Sequence, residues 1–256
     1  MLLGGPQPAR PGAQNLKARS MRTRGRSEVL NSLFRQGEGG YFQPGETLIK
    51  AGELPRYVYQ LRTGLVYQSC WFTDGRRAIV DIFAPGNVIG LESILSMRAS
   101  GTAAAAGPVK YLALDVKSLH RLMDDREVAL CFTSLLVEAR RRSEELAARI
   151  ARLEAPERVA AMLIDLYDRL RRRRLIARST FNLHLTQQQI GDHLGLTGAH
   201  VNRVLGWFAR QDIALVKGYV VIIRDMQRLR RLARGEEEID MRRATQAIQR
   251  IPESVA

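Results

Sequence analysis

The residues with most scope for recognition chemistry lie in one stretch, LTQQQIGDHLGLTGAHVNRVLGWFARQ, residues 185–211. Thr186 stands three residues before Gln189, the spacing of a reciprocal cap at a helix start, and Ile190 and Leu194 then share one face. Gly195 can take the left-handed conformation that ends such a helix sharply. Thr197 caps a second helix, in which Val201, Val204, Leu205 and Phe208 form a buried stripe. Two short helices around a tight turn are a helix-turn-helix. The second leaves Gly198, Ala199, His200, Asn202, Arg203 and Arg210 outside its stripe, and a helix of this kind fits the major groove of duplex DNA with its N-terminal half against base edges. Small residues at 198 and 199 permit close approach. Arg203 carries the fork that donates to both acceptors of a guanine, and His200 or Asn202 can read a neighbouring base or a phosphate. Thr186, Thr197 and Gln187, Gln188 and Gln189 offer phosphate contacts from the helix starts.

The elements around this stretch must hold it. IALVKG (213–218) and YVVIIR (219–224) predict a hairpin about Lys217-Gly218, which turns the helix-turn-helix into a winged helix, and FNLHL (181–185) offers a third strand. Upstream, ERVAAMLIDLYDRL puts Val159, Met162, Leu163, Leu166, Tyr167 and Leu170 on one face, to pack beneath it. Charge agrees with a polyanionic partner: residues 155–234 carry 15 basic and 6 acidic side chains and residues 1–26 carry 6 and none, whereas 27–154 carry 16 and 15. The run RRRR at 171–174 is by itself as well explained by a solvated helix face.

Before the hinge expected near 154–156, at Pro156, the pattern differs. From Tyr41 to Leu114 the chain breaks into alternating runs such as YVYQLR (57–62), LVYQSCWF (65–72) and AIVDIF (78–83). Turn glycines at 64, 75 and 86 suggest successive hairpins of an antiparallel β-roll. SEVLNSLFRQ (27–36) predicts a short helix with Val29, Leu30, Leu33 and Phe34 inward. After Asp115 a short helix follows, then one uninterrupted by Gly or Pro from Asp125 to Leu153. On it Leu135, Ala139, Leu146, Ile150 and Leu153 continue a narrow apolar seam at steps near 3.5 residues, which predicts pairing with a second copy. The fold class is therefore α+β, divided into a disordered basic arm (1–26), a β-roll (27–124), a dimerisation helix (125–154), a winged helix-turn-helix (155–234) and a loosely ordered tail (235–256).

Other chemistries are poorly served. There is no apolar run long enough for a membrane span. Cys70 and Cys131, the only cysteines, are far apart and form no CxxC, which points to the cytoplasm and away from zinc or a disulfide framework. Small β-rolls are also the cores of cupin metalloenzymes, which grip a metal with strand histidines. The four histidines are 120, 184, 193 and 200, none of them within 41–114, so catalysis is not expected. A module binding protein or RNA through its winged half is the competing reading.

In that order, β-roll, long helix, hinge and winged helix resemble the cyclic-AMP receptor protein / fumarate-nitrate regulator family of bacterial transcription factors over roughly residues 27–234. The stretches that carry the likeness are GETLIKAGELPRYVYQLRTGLV (45–66), FAPGNVIGLESIL (83–95) and LTQQQIGDHLGLTGAHVNRVLGWF (185–208). The resemblance implies a homodimer on a near-palindromic duplex, with RNA polymerase as a further partner and Arg203 as the guanine reader. Gly198-Ala199 replaces the Arg-Glu of the cyclic-AMP receptor protein, so a different operator is expected. The roll, cyclic-nucleotide-binding-like in outline, departs further. Cyclic-AMP binders use a Gly-Glu pair for the ribose and an Arg-Ser pair for the phosphate. Here Leu91 separates Gly90 from Glu92, and Gly101-Thr102 followed by Ala103 to Ala106 stands in place of Arg-Ser. An unpaired phosphate in an apolar roll costs several kcal/mol, so cyclic AMP is disfavoured. Gly90, Glu92 and Thr102 remain as the candidate effector pocket, and Arg98 is read as a loop arginine. An iron-sulfur cluster is disfavoured because two thiols cannot make four bonds. Haem is disfavoured too, with only His120 or Met97 to offer as ligands, and a lone Cys70 or Cys131 is usually inert.

Overall fold

The computed structural model describes residues 25–237 and residue 239. Residues 1–24 of the basic arm expected over 1–26, and most of the tail expected from 235, lie outside the described residues; residues 25 and 26 belong instead to the first helix, where Arg26 pairs with Glu138 at 2.6 Å. Residues 25–34 form helix α1, which buries Leu30, Leu33 and Phe34 and leaves Val29 half-buried.

Eight strands follow: β1 (Glu38–Phe42), β2 (Thr47–Ile49), β3 (Tyr57–Thr63), β4 (Val66–Trp71), β5 (Arg77–Phe83), β6 (Val88–Ile89), β7 (Thr102–Ala105) and β8 (Val109–Asp115). They form two antiparallel four-stranded sheets, β1-β8-β3-β6 and β2-β7-β4-β5, with a 3₁₀ turn at Leu91–Leu95. Of the three glycine turns, that at Gly75 closes a true hairpin, pairing β4 and β5 from Val66↔Phe83 to Trp71↔Arg77. Gly64 and Gly86 instead join strands of different sheets, so the expectation of successive hairpins is corrected to two corners and one hairpin. Alternation reports which side chains are buried, and cannot report which sheet a strand enters. At Gly64, φ is 81° and a Cβ would lie 2.2 Å from the Pro108 carbonyl oxygen, so this corner has room for glycine alone.

Helix α2 (Val116–Leu122) starts at Asp115, whose carboxylate accepts from Ser118 N at 2.9 Å. Helix α3 (Arg126–Arg152) is capped by Asp125, which accepts from the amides of Glu127 and Val128. At 27 residues it is about 40 Å long. The chain leaves the helix at Leu153 and re-enters at once into α4 (Ala155–Arg172), with Pro156 in its first turn. Then come β9 (Thr180–Asn182), α5 (Gln187–Leu194), α6 (Gly198–Arg210), β10 (Ala214–Lys217), β11 (Val220–Ile223) and α7 (Met226–Leu232). The third sheet runs β10-β11-β9. Its outer strand ends earlier than FNLHL suggests, because Leu183 and Leu185 turn into the core.

One core cluster includes Val159, Met162, Leu163 and Leu166 of α4 together with Leu65, Tyr67, Ile79 and Ile82 on the β4–β5 side of the roll. Each such apolar side chain, fully buried, contributes roughly 1.5–3 kcal/mol. The winged half is therefore seated on the roll. Polar ties reinforce the seat: Arg169 Nη2 donates to the Ile82 carbonyl and to Asn87 Oδ1, both at 2.6 Å. Within the run 171–174, Arg173 reaches the Gly86 carbonyl on the roll at 3.5 Å.

On α3, Leu135 is 8% exposed and packs with Phe34, Val128 and Phe132 of its own subunit. This corrects its place in the expected seam, because α1 and the roll already cover it. Leu146 is also partly covered, by the core shared with α4. The large exposed apolar side chains of α3 are Leu130, Leu136, Val137 and Ile150.

Candidate nucleic-acid interface

The cap of α5 is reciprocal. Thr186 Oγ1 accepts from Gln189 N at 3.1 Å, and Gln189 Oε1 accepts from Thr186 N at 2.8 Å. Gly195, at φ 68°, ends the helix, and Thr197 Oγ1 accepts from His200 N at 3.1 Å to start α6. These caps satisfy backbone amides that would otherwise lack a partner and hold the two helix starts at the surface. Val201, Val204, Leu205 and Phe208 are buried as expected, and Trp207 joins them at 3% exposure.

The turn depends on a glycine that the sequence reading passed over. A Cβ on Gly191 would sit 2.5 Å from the Leu196 carbonyl oxygen, so only a bare α-carbon lets α5 and the turn into α6 approach this closely. A glycine inside an otherwise sound helical pattern was the available signal.

Thr186, Gln187, Gln188, Thr197, Ala199, Asn202 and Arg203 are exposed, while Gly198 and His200 are half-buried. Their mutual contacts join the two helices into one surface. Asn202 Nδ2 donates to Gln187 Oε1 at 3.0 Å across the turn, and Gln188 Oε1 lies 3.0 Å from where a Cβ of Gly198 would stand. Gln188 Nε2 in turn donates to Asp192 Oδ1 at 2.7 Å. Beside this surface β10 and β11 form the wing, whose tip carries exposed Lys217 and Gly218 at φ 59°. Hydrogen-bond donors, small residues at the start of α6, and a local excess of positive charge suit an anionic duplex.

Of the three residues expected in an effector pocket, Gly90 and Glu92 line a cavity of about 350 Å³ between the roll and α3, along with Asp81, Ala103, Leu136 and Ala139. Thr102 does not line it. Its hydroxyl faces the loop and accepts from Ala51 N at 3.2 Å. The lining has no Lys, Arg or His, and its charged members are both carboxylates, so the donor set does not fit a cyclic nucleotide's phosphate. Arg98 is exposed and donates to the Gly52 carbonyl at 2.8 Å. His120 is held by the Ser93 and Ile94 carbonyls at 3.2 and 3.1 Å, a pin for the 3₁₀ turn. Cys131 is buried, and burial pushes its thiol above the ordinary range; Cys70 is half-buried. Among the described residues, no helix is long and apolar enough to cross a membrane.

Known proteins agree with this geometry. Residues 157–232 match the Crp-like helix-turn-helix domain, and residues 40–126 match the cyclic nucleotide-binding domain. The Anaerobic regulatory protein of Haemophilus influenzae is 27% identical over 191 residues, 73% of each chain. The Fumarate and nitrate reduction regulatory protein of Escherichia coli is 26% identical over 192 residues, 75% of this chain and 76% of that one. Among solved structures, FixK2 from Bradyrhizobium japonicum superimposes with a TM-score of 0.70 at 29% identity, covering 80% of this chain and 99% of that chain. These relatives are regulators and not enzymes, and they favour the DNA reading over a module for protein or RNA. With roll, long helix and winged helix in the same order, the chain belongs to the Crp/Fnr family of DNA-binding transcription regulators.

Proposed function

We propose that the chain acts as a homodimer whose two α6 helices enter successive major grooves of a near-palindromic operator, about 34 Å apart. The observation that carries this reading is the open face of α6, with Ala199, Asn202 and Arg203 exposed beside the capped helix starts at Thr186 and Thr197. Arg203 donates to the two acceptors of a guanine. Asn202, steadied by Gln187, and His200 meet neighbouring groups, while Thr186, Gln187, Gln188 and Thr197 bind phosphates. Gly198 and Ala199 let the helix approach. Along α3 the second copy covers Leu136, Val137 and Ile150, with Ala139, Leu146 and Leu153 at the margins. In this scheme residues 27–124 are the effector-like roll, 125–154 the dimerisation helix and 155–234 the DNA-binding domain.

The regulator works without cyclic AMP, an iron-sulfur cluster or haem, a reading supported by a cavity lining that holds no Lys, Arg or His and by the count of two cysteines. It resides in the cytoplasm and meets RNA polymerase at its promoters. Retention on random duplex DNA at low salt tests the first step. Affinity is expected to fall steeply and log-linearly with salt as phosphate counterions are released. Binding indifferent to salt would contradict the proposal.

A further inference from the structure

We infer that Arg77, on the roll, is a positioning residue for the DNA-contacting helix: it clamps α5 through Asp192 in the orientation that leaves α6 open. The inference rests on the reading of α5 and α6 as the DNA interface.

Asp192 lies one turn beyond Gln188 on α5, and its carboxylate is shared between the roll and the interface. Oδ2 accepts from Arg77 Nε at 2.8 Å and lies 2.7 Å from Arg77 Nη2, while Oδ1 accepts from Gln188 Nε2 at 2.7 Å. The Arg77 and Asp192 side chains are only 20% and 10% exposed, so this charge-assisted pair is largely withdrawn from water. The Arg77 guanidinium also lies within 5.7 Å of the Tyr67 ring centre and 5.5 Å of that of Trp71, which restricts its swing. Two residues along the same strand, the Ile79 carbonyl accepts from His193 Nδ1 at 3.0 Å. Strand β5 thus holds two successive residues of α5, one through the Arg77 side chain and one through the Ile79 carbonyl.

A carboxylate beside a phosphate-binding surface needs a reason. Alone, Asp192 would draw water under α5; paired with Arg77, it is held from the roll side and its second oxygen orients Gln188 toward Gly198. The clamp leaves Thr186, Thr197, Ala199, Asn202 and Arg203 exposed, so it favours the binding-competent arrangement. Without Arg77 the winged half spends part of its time in other orientations about the Leu153–Ala155 joint, and apparent affinity falls by the competent fraction.

The test uses the full chain and an operator selected by the wild type from random duplexes. Arg77→Ala and Asp192→Asn are each expected to weaken operator binding roughly tenfold, within the usual range of coupling between sites. The double variant should be no weaker than the weaker single, Arg77→Lys should recover part of the loss, and the salt slope should stay at the wild-type value because Arg77 touches no phosphate. Hydrogen exchange without DNA gives a second readout: amides 187–194 should exchange faster in Arg77→Ala by more than any fall in the global unfolding midpoint accounts for. Wild-type exchange in α5, or additive losses with a salt slope reduced by about one, would overturn the clamp. A wild type that holds no DNA would instead overturn the DNA reading, while the exchange experiment still reports on the clamp.

Discussion

Two glycines of the helix-turn-helix should respond to alanine with opposite signs. Both lie inside helices, where replacing glycine by alanine ordinarily adds about 0.5–1 kcal/mol of stability. At Gly191 the new Cβ would stand 2.5 Å from the Leu196 carbonyl oxygen and 3.2 Å from the carbonyl carbons of Leu196 and Thr197. All three are backbone atoms of the turn, so relief requires moving α5 away from it. Overpacking of this kind costs about 1–3 kcal/mol, which outweighs the helical gain and leaves Gly191→Ala destabilised by about 1–2 kcal/mol. At Gly206 the nearest atom is Arg210 Nη1 at 3.3 Å, the far end of a flexible side chain that can step aside. Gly206→Ala should therefore keep the gain. Far-ultraviolet circular dichroism melts at one fixed protein concentration would read both variants, at about 2–4 °C per kcal/mol for a chain of this size. A Gly191→Ala midpoint at or above wild type would refute the steric account of the turn, and so would equal losses at both positions.

Three further outcomes are expected. Arg203→Ala should cost about 1–3 kcal/mol on the selected operator and relax preference at one base position, measured by competition with single-base variants; an unchanged preference removes Arg203 from base reading. Val137→Asp, placing a charge on the exposed apolar face of α3, should shift the dimer toward monomer in sedimentation equilibrium without lowering helix content, and an unaltered mass would place the partner elsewhere. His193 is held below its ordinary pKa by burial, partly opposed by the Ile79 carbonyl and the carboxylates of Asp81 and Asp165. The unfolded chain takes up this proton below about pH 6.5 while the folded chain resists, so stability present at neutral pH is lost on acidification. His193→Asn, whose amide can still donate to Ile79, should flatten that acid loss in melts between neutral pH and about pH 5; His184, also lowered by burial, keeps it from vanishing.

Much of this was legible because local rules acted alone. The caps at Thr186 and Thr197, the αL glycine at 195 and the stripe Val201, Val204, Leu205 and Phe208 need only neighbours in sequence, and they appear where spacing put them. Long-range choices were not legible. Alternation marked β3, β4 and β5 but not the division of β3 and β4 between two sheets, which depends on pairing with β8 and β7. Leu135 fits a coiled-coil seam by period, yet α1 reaches it first, and a period cannot say which of two apolar surfaces will cover a residue. Thr102 sits one residue from the cavity-lining Ala103, but strand alternation turns it the other way. Gly191, and the bond from Arg77 to Asp192 across 115 positions of sequence, depend on tertiary approach alone.

The central claim, two exposed α6 helices reading one duplex as a pair, is tested most directly by selecting bound sites from random double-stranded DNA with the full chain. Enrichment of two inverted half-sites centred about one helical turn apart, each with a guanine whose preference disappears in Arg203→Ala, is the expected result. Recovery of a single half-site, or of no preferred sequence at all, would contradict it.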